Sequence, residues 1–157
     1  MIDETGNLRQ TGTQVKCLYQ IYEALPKIYP TAPSSNPAAT LAKPASVDGY
    51  SGWTTIIPAA TIDADTTSTY FNVNSLEILN VPGNSYVYFE MQYNSVTVGR
   101  GHVTASGTGA RLTKGSDFGL TAMPKVTGQD LKMRISDENA GANNYAVGPI
   151  MWCEGNP

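Results

Sequence analysis

Apolar and polar residues alternate most cleanly between Ser85 and Tyr93, where Val87, Phe89, Met91 and Tyr93 are separated by Tyr86, Tyr88, Glu90 and Gln92. A period of two over nine residues predicts a strand with one face on a core and one toward water. Leu131, Met133 and Ile135 repeat the pattern, with Lys132 and Arg134 between them. Further strand-like runs cover Trp53–Ile57, Thr69–Val73, Leu76–Val81, Val96–Thr104, Ala110–Lys114, Phe118–Ala122 and Tyr145–Cys153. Turn residues such as Pro82-Gly83-Asn84, Gly107–Gly109 and Thr127-Gly128 separate them. Short strands at this spacing, with no helix-length pattern between them, predict a mainly β fold: an antiparallel β-sandwich, jelly-roll-like, over residues 49–157. Pro149 lies inside the last run and marks a bulge or an edge, because proline cannot donate to a ladder.

Upstream the period changes. Val15, Leu18, Tyr22 and Leu25 recur at spacings of three and four, with Thr13 placed to cap and Pro26 to stop the run. This predicts an amphipathic helix in an N-terminal arm spanning residues 1–30. So short a helix needs a packing partner, either its own sheet or another subunit. Residues 31–48, rich in Pro, Ala and Ser, read as an extended linker. The three segments fit a chain of 157 residues, enough for one well-buried core with an appendage.

Charge narrows the functional classes. Only 15% of residues are charged and the formal net charge is −3. Residues 1–99 carry four Lys/Arg against eight Asp/Glu and residues 100–157 six against five, so neither half offers the basic stripe that a nucleic-acid backbone selects. No apolar run reaches the length of a membrane span, and the start Met1-Ile2-Asp3-Glu4 is acidic where a secretory signal is basic, which predicts synthesis and folding in a cytoplasm. Cys17 and Cys153 lack the dense spacing of a disulfide-stapled domain and are expected to be reduced.

Candidate chemistry is sparse. His102 is the only histidine and has no nucleophile signature near it, so no catalytic residue is assigned. No zinc-ligand spacing occurs. Asp63 and Asp65 stand in a Thr-rich loop of the kind that binds calcium, but without the rest of a calcium-loop pattern, and neither a metal nor a cofactor is assigned. Glu77 and Glu90 are the carboxylate pair that glycoside hydrolysis would require. Tyr86 and Tyr88, with Gln92 on the same outward side, form the most distinctive face: tyrosine joins a flat apolar ring to a hydrogen-bonding tip, suiting sugars or protein interfaces. Trp53 and Trp152 are expected in the core.

The order of a short arm, a Pro/Ala-rich segment from Ser34 to Pro44, and a Gly/Thr-rich β region that includes Thr104-Ala105-Ser106-Gly107-Thr108-Gly109-Ala110-Arg111-Leu112 resembles bacteriophage virion accessory proteins of the capsid-decoration or fibre type. The resemblance is one of architecture and transfers no individual residue role. It implies a structural virion protein assembled in the host cytoplasm, with the major capsid protein as a partner, and the apolar stripe Val15, Leu18, Tyr22 and Leu25 is the surface expected to meet that partner. It also implies a homo-oligomer, by preference a trimer. The other reading is a carbohydrate- or receptor-binding module that uses Tyr86, Tyr88 and Gln92 on a glycan.

Overall fold

The computed structural model of the chain describes residues 26–30, 38–42, 44–81, 86–104, 109–113, 122–138 and 145–156. The predicted helix and its stripe, Val15, Leu18, Tyr22 and Leu25, lie outside the described residues, as do Cys17 and most of the predicted strand at 118–122. The described residues are mainly β, arranged as two antiparallel sheets packed on one another.

The first sheet is built on β4 (Tyr70–Leu79), a ten-residue strand flanked on both edges by pairs of shorter strands lying end to end. Along one edge run β7 (Gly109–Thr113) and β8 (Met123–Pro124). Along the other run β10 (Tyr145–Val147) and β11 (Ile150–Gly155). Outside these lie β2 (Ala39–Leu41) on β10 and β1 (Lys27–Tyr29) on β11. The predicted strand Tyr145–Cys153 is thus real but interrupted at Gly148-Pro149. The Gly148 N–H still reaches the Glu77 carbonyl at 2.8 Å, and a Cβ on Gly148 would stand 2.9 Å from Glu77 Cβ, which explains a glycine at this close approach.

Two departures from the sequence reading have physical causes. Thr69–Val73 and Leu76–Val81 were expected as two strands, because the apolar period breaks between Val73 and Leu76. They form the single strand β4, in which Met151 pairs with Ser75 and Trp152 with Val73, leaving Asn74 as an extra residue. The bulge shifts the inward parity by one, so Phe71 and Val73 before it and Leu76 and Ile78 after it all enter the core. Likewise, the segment expected to be linker contributes β2, and the end of the expected arm contributes β1. Three-residue strands carry no period of their own and are fixed by the neighbour that supplies their hydrogen bonds.

The second sheet has the order β3 (Thr54–Ile57), β9 (Leu131–Asp137), β5 (Tyr86–Tyr93), β6 (Val96–Thr104). Strands β5 and β6 form a hairpin whose two turn residues, Asn94 and Ser95, both have positive φ, the mirror-image turn that matches strand twist. Before β3, residues 48–51 extend the ladder on β9: Asp48 N–H donates to the Asp137 carbonyl, Ser51 N–H to the Ile135 carbonyl, and Tyr50 bridges Ser136. A four-residue helix, α1 (Ala59–Ile62), follows β3, and Asp130 accepts the Ala59 N–H and the Thr55 hydroxyl at its start.

The predicted inward faces are confirmed. Val87, Phe89, Met91 and Tyr93 of β5 and Leu131, Met133 and Ile135 of β9 are buried against Phe71, Val73, Leu76 and Ile78 of β4. Phe71 meets Tyr93 edge to face across the sheets at 4.8 Å and Trp152 at 6.4 Å. Two polar groups inside this core are paired. The Tyr145 hydroxyl donates to Asp137, both fully buried. Glu154, on the same side of β11 as Trp152, takes Lys125 at 2.8 Å on one oxygen and Lys27 of β1 on the other. Lys125 also donates to the Asp65 carbonyl at 2.6 Å.

Candidate functional site

On the second sheet the residues that alternate with the core positions form a continuous outer face, and strand register fixes who stands beside whom. Tyr88 of β5 is opposite Ser136 of β9 on one side and His102 of β6 on the other, and Tyr50 lies beyond Ser136. One pleat further along, Glu90 is opposite Arg134 and Arg100. Gln92 follows, between Lys132 and Thr97. Directly opposed cross-strand residues are the closest side-chain neighbours a sheet offers, so these rows set which groups on the face can interact.

Glu90 is the hinge of the arrangement. Its side chain is 7% exposed, and both carboxylate oxygens are held. Arg134 donates through Nε at 2.8 Å and Nη2 at 2.5 Å to one oxygen, while Arg100 Nε reaches the other at 2.9 Å. A nearly buried carboxylate outward of the core is tolerable because two guanidinium groups replace its water. The guanidinium of Arg134 is also stacked at 4.4 Å from the ring centroids of both Tyr50 and Trp53. Arg134 is therefore fixed from three sides, whereas the Arg100 side chain, which meets Glu90 through Nε, is 71% exposed.

The aromatic members remain accessible: Tyr50 is 41%, Tyr86 47% and Tyr88 44% exposed. His102 is exposed and its ring lies 6.4 Å from that of Tyr86 and 6.2 Å from that of Tyr88. Partial burial beside Glu90 pushes the Tyr50 hydroxyl up from its ordinary pKa, with Arg134 and Arg100 opposing. Arg100, Arg134 and Lys132 against Glu90 and Glu138, whose carboxylate accepts the Tyr86 N–H at 3.1 Å, leave this face with one net positive charge on a chain whose formal charge is −3.

Among the sequence candidates, Tyr86, Tyr88 and Gln92 share this face. Trp152 is core, as expected; Trp53 is not, standing half-buried on the outer face against Arg134. Missing from the sequence reading were Tyr50, Arg100 and Arg134, which long-range pairing alone brings to Glu90. The carboxylate pair does not form: Glu77 lies between the core residues Leu76 and Ile78 and so points outward from the first sheet, while Glu90 points outward from the second. Two acids on opposite outer faces have no cleft between them.

The acidic loop has its carboxylates engaged. Asp65 accepts the hydroxyls of Ser68 and Thr67, each at 2.6 Å, and the Thr67 N–H, which hold its carboxyl well below the usual range. Asp63 accepts the Gly128 N–H at 2.8 Å. Among the described residues no group of three or more His, Cys, Asp or Glu is gathered as metal ligands, and no helix is long and apolar enough to cross a membrane. No family model matches the chain, and neither the curated proteins nor the solved structures compared with it give a significant match.

Proposed function

We propose that the protein is an accessory structural protein of a bacteriophage particle, a capsid decoration protein that attaches through its N-terminal arm and displays a jelly-roll-like sandwich. The apolar stripe Val15, Leu18, Tyr22 and Leu25 docks on the major capsid protein or on sister subunits of a trimer, and the protein acts in the virion without catalysing a reaction. The observation that carries this reading is a separation of roles between the sheets. The arm joins the body at β1, the outermost strand of the first sheet, whereas the exposed aromatic face belongs to the second. An attachment point on one sheet and an open surface on the other is the arrangement that display requires.

Residues 27–29 are part of a sheet, so the informative truncation ends at residue 25. In a density gradient of phage particles, the full-length chain should band with the particles in stoichiometric amount. The variant lacking residues 1–25 should remain folded and stay at the top. Particle banding of the truncated chain, or none by the full-length chain, would refute the assignment. The second reading, a carbohydrate- or receptor-binding module, is favoured by the face around Tyr88. The two are compatible, since a displayed surface is where such recognition takes place.

A further inference from the structure

We propose that the outer face of the second sheet binds an acidic, carboxylate-bearing oligosaccharide, with a sugar ring stacked on Tyr88 and the carboxylate held by Arg100. This deepens the recognition-module reading and does not depend on the particle assignment.

Three features of the face point to this ligand class. First, Tyr88 is held in the middle of the sheet between β9 and β6 and offers an open ring beside the His102 imidazole, so a pyranose can stack on one and hydrogen-bond to the other. Second, the charge is directional. Arg134 is committed to Glu90 and to two aromatic rings, but the Arg100 side chain meets Glu90 through Nε and is 71% exposed, a surface guanidinium whose planar geometry matches a carboxylate. Third, Arg100 lies two residues from His102 on the same strand, about 7 Å along it. That places the cation diagonally from the Tyr88 ring, within reach of a charged group on the stacked or adjoining sugar. Lys132, beside Gln92, extends the positive edge along the same direction.

Rigidity completes the argument. All of these groups stand on paired strands, and Glu90 braces both arginines, so little conformational freedom is lost on binding. A neutral glycan would use the stacking and leave the Arg100 fork unanswered. A polyanion without a stackable ring would use the charge and ignore Tyr88. The two halves of the site thus make separate demands that one ligand class meets.

The test is isothermal titration of the full-length protein with an oligogalacturonide hexamer, with maltohexaose as the neutral control and a heparin hexasaccharide as the sulfated one. The oligogalacturonide should bind saturably, at least tenfold more tightly than maltohexaose, and weaken as salt is raised. Tyr88→Ala should cost at least tenfold. Arg100→Gln should lower affinity for the acid and abolish the preference over the neutral sugar. Both positions are exposed, and unchanged thermal midpoints verify that each variant is folded. Equal binding of maltohexaose, lost in Tyr88→Ala, would overturn the acidic assignment and leave the recognition module standing. Heparin binding that survives Tyr88→Ala, with no selective oligogalacturonide binding, would overturn the site as mere charge adsorption. No binding of any of the three would overturn the inference and the module reading together, without touching the particle test.

Discussion

Lys125 and Lys27 hold the same carboxylate from different environments, and removing them one at a time separates burial from proximity. The Glu154 side chain is 1% exposed, that of Lys125 9% and that of Lys27 46%. Lys125→Met strips a buried carboxylate of its buried partner and leaves the Asp65 carbonyl without its donor. Breaking a buried pair typically costs about 3–5 kcal/mol. Lys27 remains and offsets part of this, while the lost carbonyl hydrogen bond adds about 1 kcal/mol, so the expected loss is about 3 kcal/mol. For a chain of this size that lowers the melting midpoint by roughly 6–12 °C. Lys27→Met removes a half-exposed, screened charge and should cost about 0.5 kcal/mol. The double variant Lys125→Met/Glu154→Leu removes the buried charge with its partner and should recover much of the loss, because a buried pair replaced by apolar groups is often neutral. Urea unfolding at constant m-value reads all four proteins. Should Lys27→Met prove as damaging as Lys125→Met, or the double variant be worse than Lys125→Met alone, the reasoning from burial is wrong.

Three further outcomes follow from the packing and the titrating groups. Phe89→Ala empties a fully buried position between the sheets and should destabilise by about 3–5 kcal/mol in urea unfolding. The Ala59 N–H and the Thr55 hydroxyl lower the Asp130 pKa; with the folded value below the unfolded value of about 3.9, its contribution is full above that pH and is lost as pH falls through the folded value. Asp130→Asn should accordingly flatten the acid limb of a stability profile between pH 7 and 3. Burial, reinforced by Asp137, raises the Tyr145 pKa, so its contribution is full below the unfolded value of about 10 and is lost as pH rises through the folded one. An alkaline absorbance titration of wild type against Tyr145→Phe should then show no difference in phenolate signal until the protein unfolds.

What the sequence disclosed and what it withheld divide along the range of the interactions. Alternation is local, so Val87, Phe89, Met91 and Tyr93, and with them Leu131, Met133 and Ile135, were assignable to the core from their own neighbours. The outward placement of Tyr86 and Tyr88 followed from the same parity. A bulge is invisible to a period, however, and Asn74 made one long strand read as two. The short strands Lys27–Tyr29 and Ala39–Leu41 sit among prolines and take their order from Trp152 and Tyr145, more than a hundred residues away. The outer face of the second sheet was legible only in its β5 residues. That Glu90 is clamped by Arg100 and Arg134, and that Trp53 leaves the core to stack on Arg134, depends on register between strands that no spacing along the chain encodes.

Because β1 lies at the margin of its sheet and comprises three residues, whatever pulls on the chain before it pulls first on a short edge ladder. Traction would peel that strip away before it loaded Ala38, whose N–H is held by the Val147 carbonyl beside β2. The facing sheets, closed on their shared core, would stay shut meanwhile, so the outer face of the second sheet would keep its shape under load.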